Sequence, residues 1–202
     1  MSDHEPTVYI VDDDPAVRDA VGFLVTSVGY RHCPCDSAPE ALRRLDDQSP
    51  ACLVLDVRLP GLSGLELQRN LIERKSPARI VFISGHGDIP KAVRAIRHGA
   101  VDFLEKPFDD QVLLDRIGEA LAASAEELRR RACQASLEKR LGGLTERERE
   151  VLGLVTAGKA SKTIAHELDI SVKTVENHRH NIMSKAGVAS VAQLMVWAAD
   201  SS

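Results

Sequence analysis

Asp56 ends the apolar run Leu53-Val54-Leu55 and is followed by Val57-Arg58-Leu59-Pro60-Gly61, so a carboxylate stands where a hydrophobic segment meets a Pro-Gly stop. The same placement recurs along the front of the chain. Asp12 and Asp13 close Thr7-Val8-Tyr9-Ile10-Val11, Ser84 closes Ile80-Val81-Phe82-Ile83, and Lys106 follows Val101-Asp102-Phe103-Leu104. Alone, Asp56 reads equally well as a loop carboxylate capping the next helix. Its companions change that reading. Three carboxylates brought together repel one another unless a cation sits among them, and hard oxygen ligands suit Mg²⁺. A divalent ion beside an ammonium prepares a site for phosphoryl oxygens. An aspartate in such a site can act as the nucleophile and form a mixed anhydride.

Those residues share one site only if the elements carrying them end at a common edge. Thr7–Val11, Tyr30–Cys35, Cys52–Asp56, Ala78–Ser84 and Val101–Leu104 read as strands, short and apolar with turn residues at their ends. Helical spacing separates them: Pro15 to about Val28 with Gly29 beyond, a start at Ser37-Ala38-Pro39-Glu40, Leu65–Glu73, Pro90 to Gly99, and a last helix from near Asp109. Strand and helix in alternation predict an α/β domain over residues 1–123 with a doubly wound, five-stranded parallel sheet. In a parallel sheet the carboxyl ends of the strands lie together, which is where such folds bind ligands.

Composition narrows the class. The chain has 202 residues, 44% hydrophobic and 28% charged, with 3% aromatics, so its cores rest on aliphatic side chains. A net charge of -4 conceals an uneven distribution: residues 1–123 hold 14 Lys+Arg against 20 Asp+Glu, and residues 144–202 hold 7 against 7. The acidic front therefore does not exclude nucleic acid as a partner of the back. Cys33, Cys35, Cys52 and Cys133 lack metal-finger spacing and read as reduced thiols. The start Met1-Ser2-Asp3-His4-Glu5-Pro6 has no apolar signal region, and no apolar run reaches membrane-spanning length, so a cytoplasmic protein with no membrane partner is expected.

Residues 124–140 contain neither Pro nor Gly and are rich in helix formers, which predicts a helical linker ended by Gly142-Gly143, with a flexible tether as the alternative. Leu121, Leu128, Ala132, Ala135 and Leu141 would give it a thin apolar stripe. An all-α domain over 141–202 follows. Thr145 and Glu148 form a capping-box pattern opening a helix to Ala157, Ser161–Leu168 reads as a second helix, Ser171 caps a third, and Val191–Ala198 is a fourth carrying Trp197. The third helix offers Lys173, Thr174, Asn177, His178, Arg179, His180, Asn181 and Lys185 on its outer face, donors suited to phosphates and base edges. A helix, a tight turn and such a helix make the helix-turn-helix arrangement, although a solvated face would have the same composition. His166-Glu167 lacks a second zinc-binding His and is no metal site.

Asp12-Asp13, Asp56, Ser84 and Lys106-Pro107 resemble the receiver domain of two-component response regulators. That resemblance implies that Asp56 accepts a phosphoryl group from a sensor histidine kinase. It implies Mg²⁺ held by Asp12, Asp13, Asp56 and the backbone carbonyl of Arg58, Lys106 on the phosphoryl group, Ser84 as the switch hydroxyl and Phe103 as its aromatic partner. Leu144-Thr145-Glu146-Arg147-Glu148-Arg149-Glu150-Val151, Lys162-Thr163-Ile164-Ala165 and Ile170-Ser171-Val172-Lys173-Thr174-Val175-Glu176-Asn177-His178 resemble the LuxR-type DNA-binding domain. By that likeness Lys162, Thr174, Arg179 and Lys185 grip phosphates, and Lys173 belongs with them to the DNA-binding set. Glu176, Asn177 and His180 occupy base-reading positions, Glu176 standing where many relatives carry Lys. With Ser84-Gly85-His86-Gly87-Asp88 and Phe103-Leu104-Glu105-Lys106-Pro107-Phe108, the chain is similar to the FixJ group of NarL/FixJ response regulators. Such proteins dimerise on phosphorylation through a segment corresponding to about 89–120, bind promoter DNA, and act on RNA polymerase, more often as activators.

Competing readings founder on single residues or motifs. A phosphatase of the haloacid-dehalogenase type needs a second acid two residues after its nucleophile, where Arg58 stands. A stand-alone receiver leaves the back half unexplained, and a vestigial receiver leaves the intact Asp12, Asp13, Asp56 and Lys106 unexplained.

Overall fold

A computed structural model of the chain describes residues 5–85 and 89–200, with the side chains of 197–200 left aside. Two compact units divide it, Met1–Arg129 and Arg130–Ser202.

The first unit is a doubly wound α/β sheet. Its elements are β1 (Thr7–Val11), α1 (Pro15–Ser27), β2 (Arg31–Cys35), α2 (Ala38–Arg44), β3 (Ala51–Asp56), α3 (Gly64–Glu73), β4 (Arg79–Ser84), α4 (Ile89–Arg97), β5 (Asp102–Glu105) and the start of α5 (Asp110–Leu141). All pairings are parallel and the strand order is β2-β1-β3-β4-β5, so direction of winding reverses at β1. Both faces of the sheet are covered, which is why its strands read as unbroken apolar runs. Tyr9, Val11, Leu53, Leu55 and Phe82 pack on one face with Leu67 and Leu71 of α3. Val8, Ile10, Val54, Val81 and Ile83 pack on the other with Val21 and Val25 of α1 and Leu113 and Ile117 of α5.

Caps set where the helices begin. Asp14 accepts the Ala16 N–H at 2.8 Å with Pro15 at the first helical position of α1. Ser63 and Glu66 make a reciprocal capping box at α3. These two helices follow the strands that carry Asp12 and Asp56, so the caps also fix the loops of the site.

Helix α5 runs unbroken for 32 residues and stops before Gly142-Gly143. The 124–140 stretch supplies a core residue to each unit. Ser124 is buried in the first, its Oγ accepting the Ala51 N–H at 3.1 Å, and Leu137 is buried in the second. Of the apolar stripe expected along this helix, Leu121 and Leu141 are buried and Leu128 is half-buried, whereas Ala132 and Ala135 are exposed; Ser124 and Leu137 are further inward positions.

The second unit adds α6 (Glu146–Thr156), α7 (Ser161–Glu167), α8 (Val172–Ala186) and α9 (Val191–Asp200). Val151, Val155, Ile164, Val175, Ile182 and Leu194 form its core, with Leu141 and Leu144 at the entry. Trp197 lies in α9, with its side chain outside the described part. Gly187 ends α8 at φ 66°, a left-handed conformation that favours glycine. No helix among the described residues is long and apolar enough to cross a membrane.

Candidate functional site

The carboxyl ends of β1, β3, β4 and β5 bring Asp12, Asp56, Ser84 and Lys106 to one edge of the first unit. Asp56 is registered opposite Ile83, so Ser84 stands one residue further along the neighbouring strand, itself opposite Glu105. The Lys106 N–H donates to the Ser84 carbonyl at 2.7 Å, which ties the turn after β5 to the end of β4. The Lys106-Pro107 peptide is cis.

At the centre the Lys106 ammonium donates to Asp12 Oδ2 at 2.6 Å and to Asp56 Oδ2 at 2.8 Å. Each carboxylate has its other oxygen held by backbone: Asp12 Oδ1 accepts the Asp14 N–H at 2.9 Å, and Asp56 Oδ1 accepts the Arg58 N–H at 2.7 Å. Asp12 is buried, whereas Asp56 keeps 13% of its side-chain surface and is the carboxylate a reagent can reach. Burial pushes the Asp12 carboxyl above its ordinary value, against the opposing pull of the Lys106 ammonium and the Asp14 amide. Burial also disfavours the Lys106 ammonium, but its bonds to Asp12 and Asp56 outweigh that and hold its pKa above the usual lysine value.

The expected metal ligands are only partly gathered. Asp13 is exposed, and among the described residues no three acidic, His or Cys side chains cluster closely enough to hold an ion. The donor chemistry nevertheless fits Mg²⁺. Two carboxylates already share one cationic group, the Lys106 ammonium, and every donor atom they offer is a hard oxygen. Ser84 is fully buried, and Phe103 is half-buried with its ring 6.1 Å from that of Phe82 and tilted by 33°. His86, Gly87 and Asp88 of the motif after Ser84 lie outside the described residues.

Two positions near Asp56 and Asp12 escaped the sequence reading. A Cβ on Gly64 would collide with the Asp56 carbonyl oxygen, so α3 can start hard against the end of β3 only with glycine there. Its signal was present as Ser63-Gly64-Leu65-Glu66, a capping-box pattern. Arg18 donates to the Asp12 carbonyl at 2.6 Å, a contact from the first turn of α1 back to the end of β1 that no motif announces.

The cysteines take no part. Burial pushes the Cys35 thiol up to about 12 and raises that of Cys52 as well, so neither is a nucleophile.

In the second unit α7 and α8 stand as the two helices of a helix-turn-helix. Ile164 and Ala165 of α7 and Val175, Ile182 and Ala186 of α8 turn inward. Lys162, Lys173, Glu176, Asn177 and His180 are exposed, while Thr174, His178 and Arg179 are half-buried. Thr174 is tied into the α8 cap, its N–H donating to Ser171 Oγ at 3.0 Å. Lys185 has a structural partner where a phosphate contact was expected: its ammonium donates to Glu148 Oε2 at 2.7 Å. The buried Glu148 also closes the α6 capping box with Thr145, so this pair fastens α8 to α6.

Residues 8–118 match the family described as Response regulator receiver domain, and residues 143–198 match Bacterial regulatory proteins, luxR family. Response regulator protein TmoT of Ectopseudomonas mendocina is 45% identical over 195 residues, covering 96% of this chain and 89% of that protein. Transcriptional regulatory protein FixJ of Azorhizobium caulinodans is 43% identical over 188 residues, covering 93% of this chain and 89% of its own. The solved structure of response regulator StyR is 44% identical and aligns over 97% of this chain and 99% of StyR, with a TM-score of 0.77. The chain thus belongs to the response regulators that join a receiver domain to a LuxR-type DNA-binding domain, and within them to the group of FixJ-like transcriptional regulators.

Proposed function

We propose that the protein carries a signal from a sensor histidine kinase to promoter DNA, with Asp56 as the phosphoacceptor. The observation that carries this reading is the Lys106 ammonium held between Asp12 and Asp56 at 2.6 and 2.8 Å. That ammonium neutralises the nucleophile's surroundings and is already within reach of any phosphoryl group placed on Asp56. An Asp56 oxygen forms the new P–O bond while the P–N bond to the kinase histidine breaks, and the departing imidazole nitrogen keeps the electron pair. Asp12, Asp13, Asp56 and the Arg58 carbonyl would hold Mg²⁺, which would supply charge neutralisation on the phosphoryl oxygens. Asp13 must join the other two carboxylates for this, and Lys106 must share its bonds with the phosphoryl oxygens.

The phosphorylated Asp56 carries close to two negative charges and new acceptor oxygens. Lys106 and the Ser84 hydroxyl donate to them, and movement of Ser84 frees room for Phe103 to turn inward. The consequence falls on residues 89–120. Ile89, Val93 and Ile96 lie at i, i+4 and i+7 of α4 and are 75%, 47% and 45% exposed. An apolar stripe of this kind supports pairing with a second copy in the phosphorylated state. Paired chains place two α8 helices on DNA, with Lys162, Lys173, Thr174 and Arg179 on phosphates and Glu176, Asn177 and His180 towards base edges. The outcome is transcriptional activation through RNA polymerase, in the cytoplasm.

Intact mass after incubation with Mg²⁺ and a small acyl phosphate, with size-exclusion alongside, tests this. Wild type gains one phosphoryl group and shifts towards dimer, and Asp56→Asn does neither. A phosphoryl gain in Asp56→Asn, or none in wild type, overturns the assignment.

A further inference from the structure

Helix α7 begins without a side-chain cap, since Ala160 occupies the N-cap position. The hydroxyl next to it, on Ser161, is used elsewhere. Ser161 Oγ donates to Glu176 Oε1 and accepts from Arg179 Nη1 at 3.2 Å, so one hydroxyl on α7 fixes a carboxylate and a guanidinium on α8. Both are on the side of α8 that also carries the exposed Asn177 and His180.

A carboxylate on that side is repelled by DNA phosphates, and its cost is offset only where it meets a donor. In the major groove the donors are the exocyclic amines of cytosine and adenine; guanine offers acceptors alone, and thymine an acceptor and a methyl group. Adenine places its N7 acceptor beside the amine, facing the second carboxylate oxygen lone pair to lone pair. Cytosine's own edge carries no such acceptor. We propose that Ser161 is a positioning residue that orients Glu176 to accept the N4 amine of a cytosine in the major groove, so that the two residues together set one position of the operator. This rests on the DNA-binding reading of α8 given above.

The test is selection of binding sites from random duplex DNA by the full-length, acyl-phosphate-treated chain, followed by titration on the selected site. Wild type is expected to select a cytosine at one position of each half-site, and replacing it weakens binding by about tenfold or more. Glu176→Gln moves the preference there to adenine, which a carboxamide contacts through N6 and N7. Ser161→Ala flattens the preference at that position, and Ser161→Thr restores it. Circular dichroism and thermal unfolding like those of wild type certify that the variants are folded. A selected motif that is the same for wild type and Glu176→Gln overturns the proposal, and an unchanged preference in Ser161→Ala overturns the positioning role. If wild type binds no duplex at all, the DNA-binding reading fails first and takes the proposal with it.

Discussion

The Lys106 ammonium reaches Asp12 at 2.6 Å, yet burial still holds the Asp12 carboxyl above its ordinary value. A carboxyl raised in the folded state binds its proton more tightly there than in the unfolded chain. Ionising it therefore costs stability as pH rises, a cost absent below the unfolded carboxylate range and complete above the raised folded value. With divalent ions chelated, Asp12→Asn should be more stable than wild type at neutral pH, with the gap closing on acidification. Adding Mg²⁺ should stabilise wild type more than the variant, because the ion binds the folded site. Urea unfolding with and without Mg²⁺ measures both effects, and a variant less stable than wild type in chelator would contradict the account.

Gly64 is the second sensitive point. Because a Cβ there would strike the Asp56 carbonyl oxygen, Gly64→Ala must push α3 away from β3 or displace the backbone of the phosphoacceptor. A cost of about 1–3 kcal/mol is expected, as for overpacking elsewhere in cores. Slower phosphorylation from a small acyl phosphate should accompany it. Gly61→Ala makes a useful comparison, since space is open around Gly61 and its φ of 76° strains the backbone alone. Rates for the two variants separate steric displacement of Asp56 from general loosening of the loop.

Much of this arrangement is legible in the residues, and the part that is not has a physical reason. Strands buried on both faces appear as apolar runs, so β1, β3 and β4 and the residues at their ends are read directly. Strand β2 is weak in the sequence because Arg31, His32 and Pro34 are exposed at the sheet edge, where burial writes no pattern. The core residues within 124–140 are hidden for another reason. Ser124 is polar and is buried because it satisfies the Ala51 amide 73 residues away, a pairing that hydrophobic periodicity cannot signal. Lys185 shows a second such pairing: its motif position suggests phosphate, and its partner Glu148 becomes adjacent only when α6 packs on α8.

That pair ties the stability of the second unit to pH. The Lys185 ammonium, with the Thr145 amide and hydroxyl, holds the Glu148 carboxyl below its ordinary value. A depressed carboxylate contributes stability that is present above the unfolded value and is lost as pH falls through the folded one. The second unit should therefore loosen in acid. Glu148→Gln should cost about 1–3 kcal/mol at neutral pH through the lost charged bonds and cap, and it should flatten the acid limb. Hydrogen exchange in α6 and α8 across pH reads this locally. An acid limb unaffected by the substitution would assign the loss to other groups.

The lysines of the second unit can be sorted by salt dependence. Lys162 and Lys173 are exposed, and each should release counterion when it meets a phosphate, so Ala at either position lowers the salt slope of DNA binding by about 1 and weakens binding on all sequences alike. Lys185 keeps 41% of its side-chain surface, but its ammonium is bonded to the buried Glu148. Lys185→Ala leaves that carboxylate buried without its cation, so its main effect should be on stability and the salt slope should change less. Titrations of one duplex at several salt concentrations, beside unfolding followed by circular dichroism, give the two numbers for each variant. A full unit lost from the slope in Lys185→Ala, with stability intact, would return Lys185 to the phosphate contacts.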